Sequence, residues 1–354
     1  MISLSWLTAK IPISVSTIWT LLHGSAFLFN RATPKVFQTY AYVDDNRMSQ
    51  LSLSVDVAGL RLRNPTMNAA GVLGISAPLL KRVYDGGAGA VVTKSLGPKA
   101  RQGHLNPTMV IVEGGFLNAM GLPNPGAEYF VETIKALKAD GVPVVASFFG
   151  ESIEDFRDVA ELLSEAGADA LEVNVSCPNV QEEMGMLGAD CLNTERVTAA
   201  VKEVSKPPVF VKLSPNVTDI AEIARAAERG GADAITAVNT LKGIAIDTDF
   251  RRPILTNVTG GLSGPALKPV SLRCVWDVAN AVKVPVIGCG GITNWKDAVE
   301  FMLAGASAVE VGTAIRERGF SVYSELTRGI KGYLEANGFR SVREIVGLAK
   351  EAKL

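Results

Sequence analysis

The chain has 354 residues, a formal net charge of −1 and 47% apolar residues. That length suits one large core or two ordinary ones, and the absence of a long basic run disfavours nucleic acid or an anionic membrane surface as partner. The four cysteines, Cys177, Cys191, Cys274 and Cys289, form no C-x-x-C pair, and the two histidines, His23 and His104, leave little for a Ser-His-Asp triad or a metal centre, so no metal site and a reducing compartment are expected.

Residues 1–30 are apolar but interrupted by Lys10, Pro12 and His23, and residues 31–50 are polar and patternless. No clean run of ~20 apolar residues is present for a spanning helix. Three readings of residues 1–50 stay open: an over-called start with Met48 as the true one, a membrane-associating segment, or an unstructured tail. Residues 51–354 read as one domain.

From Leu51 onward, short β-branched runs alternate with amphipathic helical stretches. Two kinds of joint repeat. Gly87-Ala88-Gly89-Ala90, Gly167-Ala168-Asp169-Ala170, Gly231-Ala232-Asp233-Ala234 and Gly305-Ala306-Ser307-Ala308 each place a glycine after a helical stretch, where a left-handed cap needs no Cβ. Val142-Pro143-Val144, Pro207-Pro208-Val209 and Val284-Pro285-Val286 start strands with a proline that costs the ladder nothing. Strands are predicted to end near Ala70, Lys94, Ser147, Asn174, Lys212, Asn239, Gly290 and Gly312. Eight such units in about 300 residues predict a (β/α)8 TIM barrel.

In that fold chemistry sits at the C-terminal ends of the strands. Those ends carry Lys94, Lys212, Asn239-Thr240, and Asn174 followed by Cys177, Pro178 and Asn179. Lys94 and Lys212 each close an apolar run, where an unpaired ammonium would cost several kcal/mol, so they read as functional. Cys177 reads either as a half-buried thiol in a proline-fixed turn or as a base flanked by amides. Gly290-Gly291 and Gly312-Thr313 follow the last two strands, the usual phosphate position of the barrel. Thr293 or Asn294 is expected to cap the helix starting near Trp295, and Gly260 to Gly264 to form a flexible N–H-rich loop.

These motifs resemble the dihydroorotate dehydrogenases from Leu51 to about Gly338. The resemblance is carried by Thr93-Lys94-Ser95, the run Leu117 to Gly126, Asn174 to Asn179, Val211 to Asn216, Asn239-Thr240, Gly260 to Ala266 and Gly290-Gly291. Cys177 rather than serine implies class 1, and Thr259 to Ala266 implies subtype B, a catalytic subunit paired with a second subunit carrying FAD and a 2Fe–2S cluster. The resemblance further implies a cytoplasmic enzyme of pyrimidine biosynthesis that binds FMN at the C-terminal face of the barrel. It assigns the base to Cys177. Substrate contacts fall on Lys94, Asn118, Ala119, Met120, Gly121, Leu122, Asn174, Asn179, Asn239 and Thr240. FMN contacts fall on Ala70, Gly71, Lys94, Ser95, Ser147, Asn174, Lys212, Val238, Gly264, Gly290, Gly291, Gly312 and Thr313. Ser147 departs from the asparagine often found there, and a hydroxyl brings fewer donors to the ring.

Under this reading dihydroorotate loses hydride from the carbon beside its carboxylate to the flavin, and a proton from the neighbouring carbon to Cys177. Lys212 stabilises the reduced flavin, and Val180 to Leu192 forms a lid. Electrons pass to NAD through the partner. Two alternatives remain: a flavoprotein resembling dihydropyrimidine dehydrogenase and acting on uracil or thymine, and a non-catalytic ligand-binding barrel.

Overall fold

A computed structural model describes residues 51–175 and 190–352. Eight parallel strands follow one another round a ring: β1 Thr66–Asn68, β2 Val91–Val92, β3 Val144–Phe148, β4 Ala170–Asn174, β5 Val209–Leu213, β6 Ala234–Ala237, β7 Val286–Cys289 and β8 Ala306–Val311. Each pairs with its neighbours in sequence, and β8 pairs with β1. Between β1 and β2 the ladder shrinks to a single parallel bridge, Met67 to Ala90. Asn68 makes good the gap: its amide donates to Val92 O (2.7 Å) and accepts from Val92 N (2.8 Å). The (β/α)8 barrel is therefore closed, with helices α1 Ala77–Asp85, α2 Ala127–Ala139, α3 Ile153–Glu165, α4 Cys191–Val204, α5 Ile220–Arg229, α6 Lys268–Ala281, α7 Trp295–Ala304 and α8 Val322–Ala336.

The period of two along each strand divides the interior into layers. The bottom layer is apolar: Met67, Ala90, Val92, Val145, Ala170, Phe210, Ala234, Ile287 and Ala308. Below it the hairpin Val55–Val57/Leu60–Leu62 inserts Val57, Leu60 and Leu62 as a plug. One step up, the inward positions turn polar: Ser147, Glu172, Lys212, Thr236, Cys289 and Glu310. The other strand faces pack the helices in a separate, larger apolar shell.

Both repeated joints do what their residues dictate. Gly87, Gly167, Gly231 and Gly305 all have φ between 91° and 124°, a conformation that a Cβ disfavours. Pro143, Pro208 and Pro285 need no amide donor, yet their carbonyls receive Val91 N, Leu171 N and Ile235 N at 2.9–3.0 Å. The aspartates of the Gly-Ala-Asp joints add a staple. Asp169 accepts from Val144 N (2.8 Å) and pairs with Lys138, and Asp233 accepts from Val209 N (2.7 Å) and pairs with Lys202. Each fixes the start of the preceding strand to the joint that opens the next.

The strand ends expected from sequence fall within two residues of the observed ones, though Ser147 lies inside β3 and Lys94 and Asn239 just beyond β2 and β6. One expectation is corrected. Gly260 to Ser263 is no flexible loop: Thr259–Ser263 is a strand, paired antiparallel with Leu241–Ile244 on one side and Gly115–Asn118 on the other. With Met109–Val112 these form a four-stranded sheet built from the excursions after β2 and β6. Glycine suits it because a Cβ on Gly261 would stand 2.0 Å from Thr240 Oγ1.

The aspartate staple is testable. Asp233→Ala leaves the buried Val209 N–H without its acceptor and should cost about 1–3 kcal/mol. Asp233→Asn keeps an acceptor and loses only a half-exposed ion pair, a cost below about 1 kcal/mol. Urea unfolding midpoints of the two variants measure the difference, and equal losses would contradict the staple.

Candidate functional site

The C-terminal mouth of the barrel gathers most of the predicted polar residues into one hydrogen-bonded chain. Ser147 Oγ on β3 meets Ser95 Oγ (3.0 Å), and Ser95 Oγ accepts from Asn174 Nδ2 at the end of β4 (3.3 Å). Asn174 Oδ1 accepts from Asn239 Nδ2 after β6 (3.3 Å), and Asn239 Oδ1 accepts from Thr240 N (2.8 Å). Asn118 Nδ2 donates to Gly261 O (3.3 Å), which ties the four-stranded sheet to the same edge. Amides and hydroxyls held in this way present fixed donors and acceptors to a planar polar ring.

Lys94 stands beside this chain. It is 9% exposed and forms no ion pair among the described residues. Burial holds its ammonium below the ordinary lysine value. Its backbone is fixed by Lys94 N donating to Gly74 O (2.8 Å), and a Cβ on Gly71 would lie 3.6 Å from Lys94 Nζ. Gly71 thus leaves room beside the amine.

Lys212 is the opposite case. It is 4% exposed and points into the polar layer, where it contacts Glu310 Oε2 and lies 3.5 Å from Glu172 Oε1. Burial alone would lower its pKa, but the two carboxylates more than reverse this and hold the ammonium charged. Burial pushes Glu172 up most strongly, but the Lys212 charge together with hydrogen bonds from Glu310, Thr236 and Ser147 more than offsets it, so Glu172 stays below the usual carboxylate value. Glu310 is held well above that value by burial and by Glu172 beside it. Cys289 in the same layer is pushed up to about 12 by burial, which keeps its thiol neutral.

The last strands supply a corner for an anion. Gly290 (φ 121°) and Gly291 (φ 79°) follow β7 and lie against the start of α6, where a Cβ on Gly291 would stand 2.6 Å from Lys268 N. Only glycine fits this close approach of backbone to a helix N-terminus, whose N–H groups favour negative charge. A Cβ on Gly264 would lie 3.6 Å from Thr313 Cγ2, so the loops after β6 and β8 meet there too. Val238 N donates to Cys289 O (2.9 Å), and Ala69 N to Val311 O (3.0 Å), which brings Ala70 and Gly312 alongside. Asn294 caps α7, with Asp297 closing the capping box. Glycines with room for an anion after β7, a buried cation beneath the mouth and a row of amides at the strand ends are chemically suited to a phosphate-tailed planar cofactor such as FMN.

Several predicted residues stand apart. Ala119 N donates to Thr108 O, His104 N donates to Met120 O, and Leu122 O accepts from Asn124 Nδ2, so much of this backbone is already engaged. Met120 is 38% exposed. Cys177 and Asn179 lie outside the described residues, as do most of Val180 to Leu192 and residues 1–50. The sequence reading missed Glu172 and Glu310. Their signal was a single acid in each of the runs Ala170–Asn174 and Ala306–Val311, at the same depth as Lys212.

Comparison with known proteins gives the family. The family model described as dihydroorotate dehydrogenase matches residues 52–334. The chain is 51% identical over 298 residues to the dihydroorotate dehydrogenase B (NAD+) catalytic subunit of Methanosarcina acetivorans, covering 84% of this chain and 96% of that protein. It is 50% identical over 297 residues to the protein of the same name from Pyrococcus abyssi, covering 84% of this chain and 99% of that one. The protein of that name from Methanothermobacter thermautotrophicus is 49% identical over 301 residues, at 84% and 99% coverage. The match spans the strand-end amides, both lysines and the glycines after β7 and β8, and the chain belongs to the dihydroorotate dehydrogenase family.

Proposed function

We propose that this chain is the catalytic subunit of an NAD-linked dihydroorotate dehydrogenase, oxidising dihydroorotate to orotate in pyrimidine biosynthesis in the cytoplasm. The observation that carries the reading is the convergence of Lys94, Asn174, Asn239 and Lys212 at one barrel mouth in a chain half identical to catalytic subunits of that name. Among the described residues no helix is long and apolar enough to cross a membrane.

FMN, when bound, accepts a hydride from the substrate carbon beside the carboxylate. The chain's residues supply the rest. Gly264, Gly290, Gly291, Gly312 and Thr313 hold the phosphate end. Ala70, Gly71, Ser95, Ser147 and Val238 would border the ring, and Lys212 would supply it a stabilising positive charge. Asn118, Asn174, Asn179, Asn239 and Thr240 grip the pyrimidine amides, with the backbone from Ala119 to Leu122 beside them. Lys94, buried and without a carboxylate partner among the described residues, neutralises the substrate carboxylate and aligns the reacting carbon. Cys177 Sγ removes the proton from the neighbouring carbon. The partner subunit carries FAD and a 2Fe–2S cluster, through which electrons reach NAD.

Cys177→Ala should retain yellow, FMN-loaded protein while slowing anaerobic flavin bleaching by dihydroorotate by about 10²–10⁴-fold. Cys177→Ser should be slow at neutral pH and faster as pH rises, because a hydroxyl is a weaker acid than a thiol. Stopped-flow absorbance measures both, and wild-type bleaching by Cys177→Ala would assign the base elsewhere. The purified chain should reduce dyes with dihydroorotate but NAD only slowly, and co-expression with an iron–sulfur flavoprotein subunit should restore NAD reduction. Rapid NAD reduction by the chain alone would contradict the partner assignment.

A further inference from the structure

The layer below the mouth holds more negative charge than it can keep in ionised form. Glu172 on β4, Lys212 on β5 and Glu310 on β8 have side-chain exposures of 0%, 4% and 1%. Two carboxylates and one ammonium sum to −1 if every group is ionised. Among the described residues no other charge enters the layer to offset this: the remaining titratable groups against it are Cys289 on β7 and Tyr323 on α8, both kept neutral by burial. A lone excess charge out of water is expensive, and two carboxyl groups sharing one site respond by keeping a proton.

The hydrogen bonds identify where that proton goes. Glu172 Oε2 accepts from Thr236 Oγ1 (3.1 Å). Glu172 Oε1 is buried with no hydrogen bond of good geometry among the described residues: Lys212 Nζ stands at 3.5 Å, and the Ser147 hydroxyl faces the same carboxylate. Lys212 Nζ also contacts Glu310 Oε2, so the two carboxyl groups meet at one cation. Two ionised carboxylates have no proton to put between them. A protonated Glu310 does, and its O–H is a donor for the Glu172 carboxylate.

We propose that Glu172 and Glu310 are a proton-sharing pair of positioning residues, which holds one proton between two carboxyl groups and clamps the Lys212 ammonium beneath the mouth in an electrically neutral layer. The pair buffers charge: loss of one carboxylate is answered by ionisation of the other, so Lys212 always faces one negative group. The proton is a property of this chain. Its consequence for flavin potential rests on the FMN reading above.

The test is infrared spectroscopy of the full-length, FMN-loaded protein at neutral pH in H2O and D2O. The wild type should show a deuterium-sensitive carbonyl stretch from a protonated buried carboxyl group. Asp297, the third buried acid among the described residues, is ion-paired with Lys268 and contributes none. The band should vanish in Glu310→Gln, and also in Glu172→Gln, where Glu310 ionises against Lys212. No band in the wild type, or a band surviving in both variants, overturns the pair. The midpoint potential of the flavin adds a second readout. Each single variant should stay near the wild-type value, and Glu172→Gln/Glu310→Gln should move to a more positive one. Additive shifts from the single variants would overturn the buffering. A colourless protein that still shows the band would overturn the FMN reading and leave the pair supported.

Discussion

The constraint that organises this molecule is the burial of the Lys212 ammonium in the middle of a closed barrel. A charge that deep is tolerable only if opposite charge reaches it from the barrel wall. β4 and β8 each contribute one glutamate at the depth of Lys212, so the ion cluster spans strands that are distant in sequence. That requirement in turn demands an accurate register. A slip of one residue on β4, β5 or β8 would turn the charged side chain outward into the apolar shell beneath the helices. The charge cluster and the barrel therefore specify each other.

Vertical layering follows from the same pleat. The bottom is sealed by apolar side chains and by the hairpin plug, which keeps water from the charged layer above. The middle carries the charge. The top carries amides and hydroxyls, joined through Ser147, Ser95, Asn174 and Asn239. A ligand at the mouth thus meets pre-positioned polar groups above a fixed positive charge, and neither must reorganise when the ligand arrives. The two lysines divide the work by their surroundings: Lys212 is neutralised within the protein, whereas Lys94 is buried beside glycine with no carboxylate partner among the described residues.

Much of this was legible in the sequence because punctuation is local. The Gly-Ala and Pro-Val joints are short-range signals, and all of those quoted proved to be strand starts or helix ends. Lys94, Lys212 and Asn239 stood out because a polar residue closing an apolar run is unusual at a strand's end. The partners of Lys212 were harder to see. Glu172 and Glu310 are 138 residues apart by their numbers, and their meeting depends on strand tilt and register across the barrel, which no local pattern encodes. Gly260 to Ser263 misled for a related reason: glycine-rich sequence reads as a loop, and only the long-range pairing with Gly115–Asn118 makes it a strand.

The account stands most directly on where the substrate ring sits. A crystal structure of the chain grown with FMN and orotate is the decisive measurement. The account predicts orotate at the C-terminal mouth, its ring amides bonded by Asn118, Asn174 and Asn239 and its carboxylate near Lys94. The FMN phosphate should rest on Gly290, Gly291 and Thr313, with Lys212 under the ring. Orotate bound away from that mouth, or FMN phosphate at another corner of the barrel, would contradict it.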